Sequence, residues 1–359
     1  CDYLDIVPDN LPTLEMAFNN KSSAERFLFT CYSFVPEHGK IGTDPGMDVG
    51  DEVWYYSDNS ADYSNKTTFW IAKGMQNSNE PLVDYWNGTQ WGKAMFVGIR
   101  DCNVFIENIE KVPDLSAYDK ETWKAEAKVL KAFYHFWMMR MYGPIPIIKE
   151  NIPVSAGEDE VRVVRDKIDD IVTYIVSLID ESVEYLPLNI QNEAAEMGRI
   201  TRPAAKAIKA KILAFAASPF FNGNLDYANF KNAEGEPFFN QVYDNEKWTK
   251  AADACLEAIQ CAEEAGHGLY EFVNMSSTQL SDETILSLSN RCKVTERWNK
   301  ELVWGCGQSG IRDLQVLCQP WLESNYSSDD RYHNARNGTF APTLAVAETF
   351  YTKNGVPMD

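Results

Sequence analysis

Histidine is scarce in this chain. His38, His135, His267 and His333 are the only four, and they are widely separated. Eight cysteines (Cys1, Cys31, Cys102, Cys255, Cys261, Cys292, Cys306 and Cys318) form no CxxC pair, so a zinc site has little support. No HExxH motif, phosphate-binding glycine loop or nucleophile elbow occurs, which removes the familiar signatures of metalloproteases, nucleotide enzymes and serine hydrolases. Basic residues are also few: 33 Lys and Arg stand against 53 Asp and Glu, for a net charge of −20. A surface of that sign excludes a nucleic-acid backbone as partner and leaves mainly solubility and weak cation binding. No apolar run approaches the length of a membrane-spanning helix.

What the chain does have is apolar and aromatic material, 45% hydrophobic and 13% aromatic over 359 residues. That length allows a large core and about two domains. Cys1 precedes an acidic segment containing Asp2, Asp5 and Asp9. Two readings of it stand, an arbitrary starting point or the lipidated cysteine of a processed bacterial lipoprotein.

The clearest pattern runs from Trp123 to Glu150. Trp123, Ala127, Leu130, Tyr134, Trp137 and Met141 draw an apolar seam, and Phe133, Phe136 and Met139 make a second strip. A helix apolar on two sides needs more than one neighbour, and Gly143, Pro144 and Pro146 end it. Similar spacing predicts helices over about 22–36, 91–112, 163–186, 201–218 and 246–265. Ser22 or Ser23, Asp119 and Thr201 are the expected caps. The last of these helices is expected to bury Trp248, Ala252, Cys255, Ile259 and Ala262. His135 sits among aromatics and reads as a packed core histidine. ETILSLSN (283–290) alternates like a short strand, and a short helix is expected near Thr343–Tyr351. Segments 37–89 and 270–340 are aperiodic and rich in aromatics. The resulting fold class is mainly α, with tetratricopeptide-like stacked helical hairpins, long aromatic loop insertions and little β structure. Residues 1–20 read as a leader and 21–359 as the folded domain.

AEAKVLKAFYHFWMMRMYGPIPII resembles the block of the SusD/RagB family in which an aromatic helix gives way to YGxxPxI. GRITRPAAKAIKAKILAFAASP is similar to that family's next block. KWTKAADACLEAI with GLY, DETILSLSN, ETFYTKNGVPMD and the opening CDYLD follow its other landmarks in order. The resemblance implies a lipid-anchored outer-membrane protein on the cell surface, attached through Cys1. It would bind a glycan without catalysis or cofactor and deliver it to a SusC-like TonB-dependent transporter. It also implies a further C-terminal portion beyond the NGxP landmark that contributes to the ligand-side region.

A sugar binder needs flat aromatic faces for ring C–H patches and planar polar groups for hydroxyls. The two aperiodic segments supply Trp54, Tyr56, Trp70, Trp298 and Trp321 as stacking candidates, with Asp51, Asn59, Arg297 and Asn299 as hydroxyl partners. Packing or simple exposure remains open for each. A helical glycoside hydrolase would instead use paired carboxylates, for which Asp51, Glu52, Asp329 and Asp330 are available. A tetratricopeptide scaffold for peptides would account for the helices and leave the aromatic loops without a role.

Overall fold

A computed structural model describes residues 14–37, 44–55, 67–275, 277–306, 340–352 and 354–357. Cys1, Tyr56, Asn59 and Trp321 lie outside the described residues. In chain order the first elements are α1 (Leu14–Ala17), α2 (Lys21–Tyr32), α3 (Pro45–Asp48), β1 (Val53–Tyr55), α4 (Thr67–Ala72) and α5 (Met95–Asn108). Then come α6 (Ala117–Tyr142), α7 (Glu158–Val161), α8 (Ile168–Asp180), α9 (Glu193–Glu196), α10 (Arg202–Ala217), α11 (Glu246–Glu264) and α12 (Asp282–Thr295). β2 (Phe340–Pro342) and a last helical turn at Leu344–Ala347 close the series. The chain divides into two compact units, one of Cys1–Phe34 with Met95–Gly305, the other of Val35–Ala94 with Cys306–Asp359.

The first unit is a helical array in which long helices pack on their successors: α2 on α5, α5 on α6, α6 on α8, α8 on α10 and α10 on α11. That sequential order is the solenoid-like arrangement expected of stacked hairpins. α6 is its axis. Trp123, Ala127, Leu130, Tyr134 and Trp137 are buried, and so are Phe133, Phe136 and Met139 on the second strip. The two strips are covered by α5 and α8, as an all-round apolar helix requires. Gly143 ends it with φ +69, a backbone angle that a side chain would strain. His135 is fully buried, with Nδ1 2.8 Å from the Lys131 carbonyl and Nε2 accepting from Ile148 N at 3.2 Å.

Several local expectations are corrected. Asn20, rather than Ser22 or Ser23, caps α2: its extended backbone lets Oδ1 accept from Ser23 N at 2.9 Å. Ser116 caps α6 by accepting from Asp119 N at 3.0 Å. Asp119 therefore sits inside the first turn, where its charge meets the helix dipole and Lys21 Nζ at 3.4 Å. Thr201 caps α10 as expected. Residues 283–290 form helix in α12, because the Ser281 hydroxyl accepts from Thr284 N and Asp282 and Glu283 load the first turn with negative charge. A short apolar run fits either period, and the cap decides it. In α11 the buried residues are Ala251, Ala254 and Cys261, while Trp248, Leu256 and Ile259 are exposed. Small residues on both α10 and α11 let the two helices approach closely, so the alanine face wins the contact.

The second unit contains the pair β1–β2, antiparallel, with Trp54 opposite Ala341. Thr343 closes the pair by donating its N–H to the Glu52 carbonyl at 3.1 Å and its hydroxyl to the Asp51 carbonyl at 2.7 Å.

Candidate functional site

The first unit has a half-open cavity of about 350 Å³ at one end of the α10–α11 hairpin. Three segments line it: 189–201 ahead of α10, 265–267 at the end of α11, and 298–305 after α12. The first contains the short helix α9, and the other two are turns. Gly266 takes φ +87 and so stops α11, which turns His267 into the rim. His267 Nδ1 lies 3.1 Å from the Lys300 carbonyl, and Gly268 N donates to the same oxygen at 3.1 Å, tying the second segment to the third.

Trp298 and Trp304 are the aromatic surfaces of this cavity. Trp298 has φ +56, an angle that a bulky residue adopts only when its surroundings hold it there. The holding group is Asn299. Its Nδ2 donates to the Lys293 and Glu296 carbonyls, both at 2.8 Å, and its Oδ1 accepts from Glu301 N at 3.0 Å. Asn299 thus stands at the cavity with its amide already committed to the turn. Trp304 is locked by packing edge-on against Phe133, with ring centroids 5.6 Å apart, and by a hydrogen bond from Nε1 to the Gly198 carbonyl at 2.9 Å.

Beneath Gly198 lies a buried ion pair. Arg199 donates to Glu126 through Nη2 at 2.6 Å and Nε at 3.1 Å, and Tyr32 donates its hydroxyl to Glu126 Oε2 at 2.5 Å. Arg199 also pairs with Glu196 at 2.9 Å and lies over the Trp123 ring. Ile200 N closes the network by donating to the Tyr32 hydroxyl at 2.8 Å. Burial pushes the Glu126 carboxyl above its ordinary value, against the pull of Arg199. For Arg199, burial works downward, but the Glu126 carboxylate outweighs it and holds the guanidinium firmly protonated. Burial first and Glu126 second raise the Tyr32 phenol well above its usual range, so it stays a donor. Three donated bonds on one carboxylate make a rigid support for the 198–201 turn.

Other polar groups remain for a ligand. Asn189, Glu193 and Lys300 line the cavity, and their side chains make no hydrogen bond to the described residues. A cavity with indole walls and unengaged amide, carboxylate and ammonium groups suits a ligand with apolar faces and many hydroxyls.

The other sequence candidates fall elsewhere. Arg297 is exposed beside Trp298. Trp54, Trp70 and Asp51 belong to the second unit. Trp54 and Trp70 are 41% and 42% exposed, and Trp54 is anchored edge-on against buried Phe69 at 5.7 Å. The Asp51 side chain is exposed, and its carbonyl holds Thr343. Trp304, Arg199 and Glu126 escape sequence reasoning. The one signal available was a charged pair, Glu126 and Arg199, each next to otherwise apolar core positions. Among the described residues, no group of His, Cys, Asp and Glu is placed to hold a metal ion.

The family model SusD-like, described as starch-binding associating with outer membrane, matches residues 2–213. A SusD-like protein of Bacteroides ovatus is 31% identical over 99 residues, which make up 28% of this chain and 16% of that protein. The solved structure named BT4246 is 29% identical, with a TM-score of 0.77 over 94% of this chain and 58% of that one. A SusD-like protein from Bacteroides fragilis, 16% identical, shares the fold with a TM-score of 0.63 over 96% of this chain and 55% of that one. The chain thus spans little more than half the length of these two solved relatives. With a family model matched over more than half of its residues, the chain belongs to the SusD-like family.

Proposed function

We propose that the protein binds a glycan without cleaving it, through the cavity between Trp298 and Trp304. The observation that carries this reading is the pairing of those two indoles with unengaged polar groups at one cavity. Pyranose rings present C–H faces that stack on indole and hydroxyls that pair with amide, carboxylate and ammonium groups. The family's description as starch-binding supports an oligo- or polysaccharide as the ligand class. Trp54 and Trp70, partly exposed on the second unit, are separate aromatic candidates there.

The same reading places the protein at the outer membrane, held by lipid on Cys1, passing its glycan to a SusC-like TonB-dependent transporter. Support for this comes from the family's outer-membrane association.

Titration calorimetry and affinity electrophoresis against a polysaccharide panel test the binding claim. Binding heat or retardation is expected, with no release of reducing ends. Shortened polysaccharide, or no binding to any member of the panel, overturns it. Co-purification of a transporter barrel with acylated protein from native membranes tests the second claim, and recovery of an unacylated protein without such a partner refutes it.

A further inference from the structure

α10 ends at Ala217 and α11 begins at Glu246, and the stretch 218–245 between them, all of it among the described residues, holds no helix. A connection of that length is uncommon inside a compact array and usually has a task of its own. It is also fixed. The buried Asn222 side chain accepts from Asp244 N and donates to the Asp244 carbonyl, both at 2.8 Å, so one amide clasps the two ends of the loop. Gln241 Nε2 donates to the Asn224 and Phe239 carbonyls, both at 2.9 Å. Gly223 takes φ +78 where a Cβ would stand 2.8 Å from Tyr243 N, so the crossing admits no side chain.

The loop has an aromatic interior that reaches the surface. Phe221, Phe238 and Phe239 are buried, Phe239 against Gly143 at the end of α6. Phe220, Tyr227 and Phe230 pack on them and are 47%, 40% and 40% exposed. The Tyr227 ring lies nearly parallel to Phe239, with 24° between the planes and 4.9 Å between centroids. One face of Tyr227 is therefore covered, and its exposure comes from the opposite face and the edge. Phe220 stands edge-on to Tyr227 at 5.6 Å and to Phe239 at 5.7 Å, and Phe230 leans on Phe238 at 4.9 Å. The turn that carries Tyr227 is closed by Ala228 N on the Leu225 carbonyl at 3.1 Å and by Phe230 N on the Tyr227 carbonyl at 3.0 Å. Among the described residues, the Tyr227 hydroxyl and the side chains of Asp226 and Asn229 on the same turn have no hydrogen-bond partner.

We propose that Phe220, Tyr227 and Phe230 form a second glycan-binding surface, separate from the cavity at Trp298 and Trp304. The proposal rests on the glycan reading for its ligand class. A fixed aromatic face beside a free hydroxyl, carboxylate and amide matches a pyranose ring, whose C–H face stacks and whose hydroxyls take both donors and acceptors. Because the Tyr227 ring is already held from behind, little side-chain freedom is lost on binding. A protein interface would set its polar groups at a rim around an apolar centre, whereas here they sit on the turn that carries the ring. The place of the loop in the array gives it a role. The cavity lies before α10 and after α11, and the loop lies after α10 and before α11, so the two are at opposite ends of one hairpin. The 16 residues of α10 set them about 24 Å apart. A short oligosaccharide reaches one surface only. A polysaccharide reaches both, and the second contact raises its affinity by effective concentration.

The test is affinity electrophoresis through gels containing amylopectin, laminarin, xylan or galactomannan. The parent chain is compared with Trp298→Ala and with a triple variant, Phe220→Ser, Tyr227→Ser and Phe230→Ser. In the gel that retards the parent, the triple variant should lose at least about tenfold in apparent affinity for the polymer. Retardation of the triple variant equal to that of the parent overturns the second surface, whatever Trp298→Ala does. A loss in the triple variant with none in Trp298→Ala supports the second surface and counts against the cavity instead. No retardation of the parent in any gel overturns both. Hydrogen exchange on the parent chain gives a reading that needs no variant to fold. Oligosaccharides cut from the retarding polymer should slow exchange in residues 219–231 as well as in the cavity segments, and unchanged exchange in 219–231 overturns the proposal.

Discussion

Trp304 donates its indole Nε1 hydrogen to the carbonyl of Gly198 at 2.9 Å, joining two cavity segments 106 residues apart. The same ring meets Phe133 of α6 edge-on, so one side chain ties the cavity wall both to its neighbour and to the core. Trp304→Phe separates the two roles, since the ring contact survives and the donor is lost. The half-buried Gly198 carbonyl is then left without its partner, at about 1–2 kcal/mol. Urea unfolding should show that loss, and calorimetry a weaker glycan affinity. A variant as stable and as tight-binding as the parent would mean that the hydrogen bond contributes to neither.

Among the described residues no hydrogen bond anchors the Trp298 indole as one anchors Trp304, and the Trp298 backbone stands at φ +56. Removing its ring should therefore cost the ligand more than the fold. Trp298→Ala is expected to reduce glycan affinity by at least about tenfold, as aromatic anchors commonly do, with a nearly unchanged Tm. Trp298→Gly should lose the same affinity and melt slightly higher, because glycine takes the positive φ without strain. A large fall in Tm for both would assign the indole to the core.

The array itself was legible because its signals are local and repeated. Ile168, Ile171, Ile175 and Leu178 of α8 are buried at the spacing the sequence predicts, and the seam of α6 is buried from Trp123 through Trp137. Failures came where two surfaces compete for one contact. α11 has enough apolar residues to predict a seam through Trp248 and Ile259, but small residues on α10 select its alanine face instead. The cavity was only half legible. Trp298 and Asn299 came forward by composition, yet the role of Asn299 as the clamp of a strained turn depends on carbonyls from Lys293 and Glu296. The Glu126–Arg199 pair joins residues 73 apart, and no periodicity reports such a contact. The strands β1 and β2 have three residues each and pair from opposite ends of the chain, too short and too distant for an alternation pattern.

The buried ion pair makes a sharper prediction than a surface one. Glu126 accepts from Tyr32 and twice from Arg199, so Glu126→Gln turns an amide donor toward groups that also donate. The buried guanidinium then keeps only the partly exposed Glu196 and the more distant Glu25 as counter-charges, and breaking a buried pair costs about 3–5 kcal/mol, toward the lower end where other carboxylates remain. Replacing both partners with apolar residues, Glu126→Leu with Arg199→Met, should recover part of that loss, because no charge is then stranded. Urea midpoints of the single and double variants decide it. A single variant within about 1 kcal/mol of the parent would show that the network is not a structural support.

His135 gives the fold a pH dependence that can be separated from its carboxylates. Its ring is satisfied as the neutral Nδ1–H tautomer, which donates to the Lys131 carbonyl and accepts from Ile148 N at Nε2. Protonating Nε2 would set one N–H against another inside the core. Burial first, together with the nearby Lys131 charge and against the bond to the Lys131 carbonyl, lowers the pKa from 6.5 to about 4. The unfolded chain therefore binds a proton between those values that the folded chain refuses. Stability from this group is complete above pH ~6.5 and is lost as pH falls toward ~4, by about 3 kcal/mol in all. Carboxylates titrate in the lower part of the same window, so the comparison is with His135→Phe, which keeps an aromatic ring beside Tyr174. The variant starts less stable at pH 7, since Ile148 N loses its acceptor. Between pH 7 and pH 4 the parent should lose about 3 kcal/mol more than the variant in urea unfolding, and the two curves should converge. Parallel curves across that range would show that His135 titrates normally in the folded protein, and that the buried bond to Ile148 does not hold it neutral.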